Sequence, residues 1–104
     1  MSEEDTHERT LPVLRALVDA VDRDILTLLA RRMGIVGEIA NYKRKHRVPI
    51  RDVKREQDLL ADRQSRAAEL GLPSDFVASV YRSFMKASRD RQASLRAGLP
   101  EQLG

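Results

Sequence analysis

The chain is predicted to be all-α, with one long helix and two shorter ones packed as a homodimeric helical bundle. Three observations predict this. Apolar residues recur at Leu14, Val18, Val21, Ile25, Leu28, Leu29, Val36 and Ile39, which is the spacing of one helical face. No strand-like alternation, internal repeat or glycine-rich phosphate loop interrupts the pattern. The first helix is also too long for its chain. At 1.5 Å per residue it runs for about 50 Å, whereas a compact monomer of this size has a radius of gyration of about 13 Å. Its apolar stripe calls for a second copy of the same helix.

Helix 1 is expected from Leu11 or Pro12 to about His46. Thr10 is a suitable N-cap and Pro12 fits the first turn, and the next 36 residues hold no proline before Pro49. Gly34 and Gly37 would either allow another backbone to approach or be tolerated at the surface. Arg47 to Arg51 should be extended, because Pro49 disfavours helix at Val48. Asp52 should cap helix 2, from Val53 to about Leu70, which Gly71 and Pro73 end. Ser74 or Asp75 should cap helix 3, which runs to about Ala97, before Gly98 and Pro100. The helical domain thus covers residues 11–97, between a disordered tail at 1–10 and a frayed tail at 98–104.

Composition excludes several functions. The 104 residues suit one small domain. There is no cysteine and only two histidines, His7 and His46, so no disulfide framework, cysteine-based zinc site, metal cluster or thiol nucleophile is expected. The longest apolar run, Ile25 to Ala30, is interrupted by Thr27 and is far short of a membrane span. The start, MSEEDTHER, is unlike a signal peptide, and the chain is expected to be soluble and cytoplasmic. The net charge is +3, yet residues 43–55 hold seven Lys or Arg and one acid, Asp52. Such a run is either a solvated helix end or a surface for nucleic acid, acidic lipid or a small anion. Two Tyr, two Phe and no Trp supply few platforms for base stacking.

Polar residues interrupt the apolar stripes of all three helices. With Leu14 at zero and 100° per residue, Arg32 falls at about 0° and Lys43 at about 20°, with Arg15 on the edge at about 100°. With Leu60 at zero, Glu56 falls at about −40°; with Val77 at zero, Ser88 and Gln92 fall at about 20° and 60°. Each has an ordinary explanation. Arg32 could snorkel, Glu56 could serve the positive end of helix 2, Ser88 could bond back to its own helix, and Gln92 could be a satisfied core amide. Together they suggest one enclosed polar site, because buried charge costs several kcal/mol, about 3–5 when a pair is broken, unless it is paired. Guanidinium forks suit carboxylates, and an ammonium and a carboxamide add donors. With Glu56 as the one plausible proton acceptor, the site is suited to holding a small multi-anion and stabilising charge that develops on oxygen.

The run LRALVDAVDRDILTLLARRM, then IANYK, then PIRDVKREQDLL, then Ser88-x-x-x-Gln92, resembles the all-α chorismate mutase family over Leu11 to Leu95. That resemblance implies an intertwined homodimer of three-helix chains that converts chorismate to prephenate without cofactor or metal, in phenylalanine and tyrosine biosynthesis. It assigns Arg32 to one substrate carboxylate and Arg15, from the other protomer, to the second. Lys43 and Gln92 would donate to the ether oxygen. Glu56 would accept from the C4 hydroxyl, with Lys43 and Asp52 beside it. Ser88 would meet a carboxylate or orient Gln92, and Arg55 would support the carboxylates or the loop. Val36, Ile39 and Tyr81 are candidate apolar walls from their stripe positions. No nucleic acid or membrane partner is implied, and an activating partner enzyme, as some short members have, is left open.

Two rivals share the fold, an isochorismate pyruvate lyase and a 4-amino-4-deoxychorismate mutase. Arg51, Asp52, Arg55 and Glu56 together favour a mutase, but Glu56 could meet an amine as well as a hydroxyl. A rival of another class is a non-catalytic helical dimer binding nucleic acid or a partner helix through residues 43–55. That reading requires steeply salt-dependent DNA binding and leaves Glu56, Ser88 and Gln92 unexplained.

Overall fold

A computed structural model describes residues 7–98. Among these the regular structure is helical: α1 spans Leu11–Lys45, α2 Val53–Glu69 and α3 Ser74–Arg96. The expected tails at residues 1–6 and 99–104 lie outside the described residues. The chain divides into two compact units, Met1–Arg32 and Met33–Gly104.

In the first unit, the Thr10 carbonyl accepts the Leu14 N–H at 3.0 Å and so opens α1. Leu14, Leu17, Val18, Val21, Ile25 and Leu28 are all exposed. A continuous apolar surface of this kind marks an interaction face.

In the second unit, α2 and α3 form a helical hairpin packed face to face, as a short connection dictates. Ala67 and Ala78 are buried near the turn, where small side chains let the helices approach, and Leu59 and Met85 are buried farther along. Val36 and Ala40 are the buried residues of α1. Arg63 stacks 5.4 Å over the Tyr81 ring, and Tyr81 meets Phe84 edge to face at 5.1 Å. Hydrogen bonds from Arg63, then from Arg66, hold the Asp62 carboxyl below its ordinary range.

The helix ends follow local chemistry. Asp52 caps α2 as expected, its carboxylate accepting the Arg55 N–H at 2.9 Å. The cap of α3 differs from expectation. Pro73, with extended ψ of 122°, holds the cap position without a side-chain bond, and Ser74 already lies inside the first turn. At the end of α2, Leu72 N–H reaches the Ala67 carbonyl and Gly71 N–H the Ala68 carbonyl, with Gly71 at φ +71. The end of α1 repeats this motif, with Val48 N–H to Lys43 and Arg47 N–H to Arg44. Here the left-handed position, φ +56, is held by Arg47, where glycine is the unstrained choice. Among the described residues, no helix is long and apolar enough to cross a membrane, and no three His, Cys, Asp or Glu side chains gather as metal ligands.

Candidate functional site

Glu56 is the centre of the polar constellation in the second unit. It lies in the first turn of α2, on the face turned to α3, and its side chain is 18% exposed. Arg89 of α3 donates from Nη1 to both carboxylate oxygens at 2.7 Å each. Arg51 Nε stands 3.8 Å from Oε1. A cleft of about 330 Å³ opens beside this pair, lined by Arg51, Glu56, Leu60, Arg82, Met85 and Arg89 among others. That volume lies within the ~300–1,000 Å³ common for small-molecule sites. Three guanidinium groups face one carboxylate, so the lining is net cationic and suits an anion.

The other candidate residues of this unit surround the hairpin. Lys43, half-buried near the end of α1, donates from Nζ to the Ile50 carbonyl at 2.6 Å. This fixes the ammonium against the loop leading into α2 and leaves two of its three protons for other acceptors. Asp52 is committed to the cap, and its partner there is the backbone of Arg55, an exposed residue. Ser88 is half-buried and donates to the Phe84 carbonyl at 2.8 Å, the local bond open to a mid-helix serine. Gln92, one turn on, is 7% exposed, and its Oε1 meets no hydrogen-bond partner. Buried amide atoms are nearly always paired, which makes this oxygen an exception. A half-turn about its last torsion presents the N–H₂ at the same place.

Of the candidate apolar walls, Val36 is buried, Ile39 is exposed, and Tyr81 is half-buried between Phe84 and Arg63. Arg15 and Arg32 belong to the first unit, where Arg15 is exposed and Arg32 half-buried. The structure thus brings Glu56 to α3, Lys43 to the loop and Asp52 to the Arg55 backbone. Among the described residues it shows no hydrogen bond or ion pair directly joining the side chains of Lys43, Glu56 and Gln92.

Two residues escaped the sequence reading. Arg89 falls at about 120° on the α3 wheel, away from Val77, Phe84 and Leu95. Arg91 falls at about −40°, inside the stripe, and that signal was available. It packs against α1 where Gly37 lacks a side chain: a Cβ there would lie 3.4 Å from Arg91 Nη2. The close approach that Gly37 permits within the chain is to this guanidinium, while Gly34 faces open space.

Comparison with known proteins gives a consistent set of likenesses. A family model described as chorismate mutase type II matches residues 14–93. A 4-amino-4-deoxychorismate mutase of Streptomyces venezuelae is 38% identical over 77 residues, 73% of this chain and 74% of that protein. The T-protein of Enterobacter agglomerans is 38% identical over 78 residues, 75% of this chain but 21% of that protein. A bifunctional chorismate mutase/prephenate dehydratase of Escherichia coli is 40% identical over 55 residues, 53% of this chain and 14% of that protein. The chain therefore spans about a fifth of the length of the T-proteins it matches.

Proposed function

The chain belongs to the type II chorismate mutase family, and from that premise we propose that it rearranges chorismate to prephenate, an isomerase step of aromatic amino acid biosynthesis. The observation that carries this reading is the extent of the family match, which runs through all three helices and includes every candidate residue from Arg15 to Gln92. The chemistry is a Claisen rearrangement: one ring C–O bond breaks as one C–C bond to the ring forms, with no nucleophile and no proton transfer. The enzyme's part is to select the compact conformer and to stabilise negative charge growing on the ether oxygen.

In this reading Lys43 and Gln92 donate to the ether oxygen, and the burial of Gln92 on the α3 face supports its share. Arg32 holds one carboxylate, with Ser88 and Arg55 supporting. Glu56 accepts from the substituent at C4. Val36, Ile39 and Tyr81 form apolar walls. The exposed apolar stripe of α1 supports a homodimer in which Arg15 reaches the second carboxylate in its partner's site. We place the reaction in the cytoplasm.

One observation favours a second reading. The Streptomyces relative, matched over three quarters of its own length, is a 4-amino-4-deoxychorismate mutase, so the amine-bearing analogue is the competing substrate. The test is loss of chorismate absorbance with purified protein and identification of the product. Prephenate formed at a rate proportional to enzyme supports the reading. An unchanged chorismate signal, with the amino analogue consumed, replaces it by the second.

A further inference from the structure

We propose that Arg89 is a specificity-determining residue that makes the site accept a neutral hydroxyl, and reject an ammonium, at the substrate's C4 position. The proposal rests on the reading of Glu56 as the acceptor for that substituent. A lone carboxylate would favour an ammonium over a hydroxyl, because opposite charges attract where a neutral donor gains only a hydrogen bond. Glu56 is not alone. Arg89 Nη1 occupies one lone pair on each of its oxygens, at 2.7 Å, and Arg51 Nε adds a second cation at 3.8 Å. Arg82 lines the same cleft.

The carboxylate keeps acceptor capacity, since an ionised acid offers about four lone-pair sites and Arg89 takes two. A hydroxyl can therefore donate to Glu56 without meeting a charge penalty. An ammonium at that position finds its counter-charge already neutralised and meets the like charge of the Arg89 guanidinium across the same carboxylate. The buried part of the pair lies where such repulsion is weakly screened. Arg89 is 29% exposed at its side chain, so its field reaches the cleft as well as the solvent.

The test compares kcat/KM for chorismate and for 4-amino-4-deoxychorismate in the unsubstituted full chain and in Arg89→Met, Arg89→Gln and Arg89→Lys. The unsubstituted chain should prefer chorismate. Arg89→Met and Arg89→Gln both remove the charge, one keeping the length and the other the hydrogen bond, and each should lower the chorismate-to-amine ratio by about 10- to 100-fold, the effect of one like charge at this distance in a half-buried site. Arg89→Lys should keep the ratio within a fewfold. A merely structural role would lower both substrates together, and an unmoved ratio in an active charge-removing variant overturns the proposal. A preference of the unsubstituted chain for the amine overturns it without any variant. Turnover of neither substrate by that chain overturns the mutase reading itself, a result separable from an unmoved ratio.

Discussion

Replacing Gln92 by glutamate asks whether this amide supplies a proton to the ether oxygen. A carboxamide donates at every pH, whereas a carboxyl group donates only while protonated. Gln92 keeps 7% of its surface, so an acid there loses nearly all its hydration, and burial raises a carboxyl pKa. Half-protonation then lies above that of a free carboxyl group. The Gln92→Glu rate should then be highest in mild acid, fall about tenfold per unit above that point, and stand about 10²-fold down at pH ~8, the size of one lost oxyanion donor. The unsubstituted rate should be nearly flat from mildly acidic to neutral pH. Folding supplies an independent sign. With the folded pKa above the unfolded one, the unfolded carboxyl ionises first as pH rises, so the variant loses stability from the unfolded pKa of about 4.3 up to the folded one and is level beyond. The loss is about 1.36 kcal/mol for each pH unit that separates the two pKa values. Initial rates of chorismate loss from pH 5 to 8, with urea unfolding at each pH, measure both. A Gln92→Glu profile parallel to the unsubstituted one removes Gln92 from the ether oxygen; a stability loss without a rate change assigns it to packing alone.

Two further substitution sets follow from the geometry. Arg47→Gly relieves a left-handed residue that costs about 1–2 kcal/mol with a side chain, against roughly 0.5–1 kcal/mol of extra unfolded-state freedom. It should stabilise by about 0.5–1 kcal/mol in urea unfolding at fixed protein concentration, with Gly71→Arg destabilising in turn. An Arg47→Gly loss of stability would show that the Arg47 side chain makes contacts outweighing the strain. Mixing inactive Arg15→Ala and Lys43→Ala chains tests the shared site, since each mixed dimer holds one intact and one doubly broken site. Activity should reappear after verified subunit exchange, and its absence would place Arg15 in its own chain's site.

The helix ends were legible because each rests on a residue with a single strong preference. Asp52 caps α2, and Gly71 and Gly98 take the left-handed positions that end α2 and α3. The start of α3 was less legible because Pro73, Ser74 and Asp75 all suit a helix N-terminus, and the fixed φ of Pro73 decided it without a side-chain bond. The composition of the site was partly legible too. Glu56 and Gln92 stood out as polar residues on apolar faces, and both are shielded from solvent in the structure. The partner of Glu56 was hidden, because a wheel shows which residues share a face but not what the neighbouring helix brings to it.

On α3, with Val77 at zero, the residues that are buried, Ala78, Met85 and Gln92, lie at about 100°, 80° and 60°. The face that meets α2 is therefore centred near 80°, and Arg89, at about 120°, sits on its border. On α2 the buried residues Leu59 and Ala67 lie at about −100° and −20°, which puts Glu56, at about −40°, well inside the packed face. A carboxylate there needs a cation from the opposing helix, and a border position on α3 lets a long arginine supply one while its stem covers apolar surface. The same requirement limits which substitutions the site tolerates. Any residue at position 89 that withdraws the charge leaves Glu56 to find another cation, and the amine of a competing substrate is one that would fit.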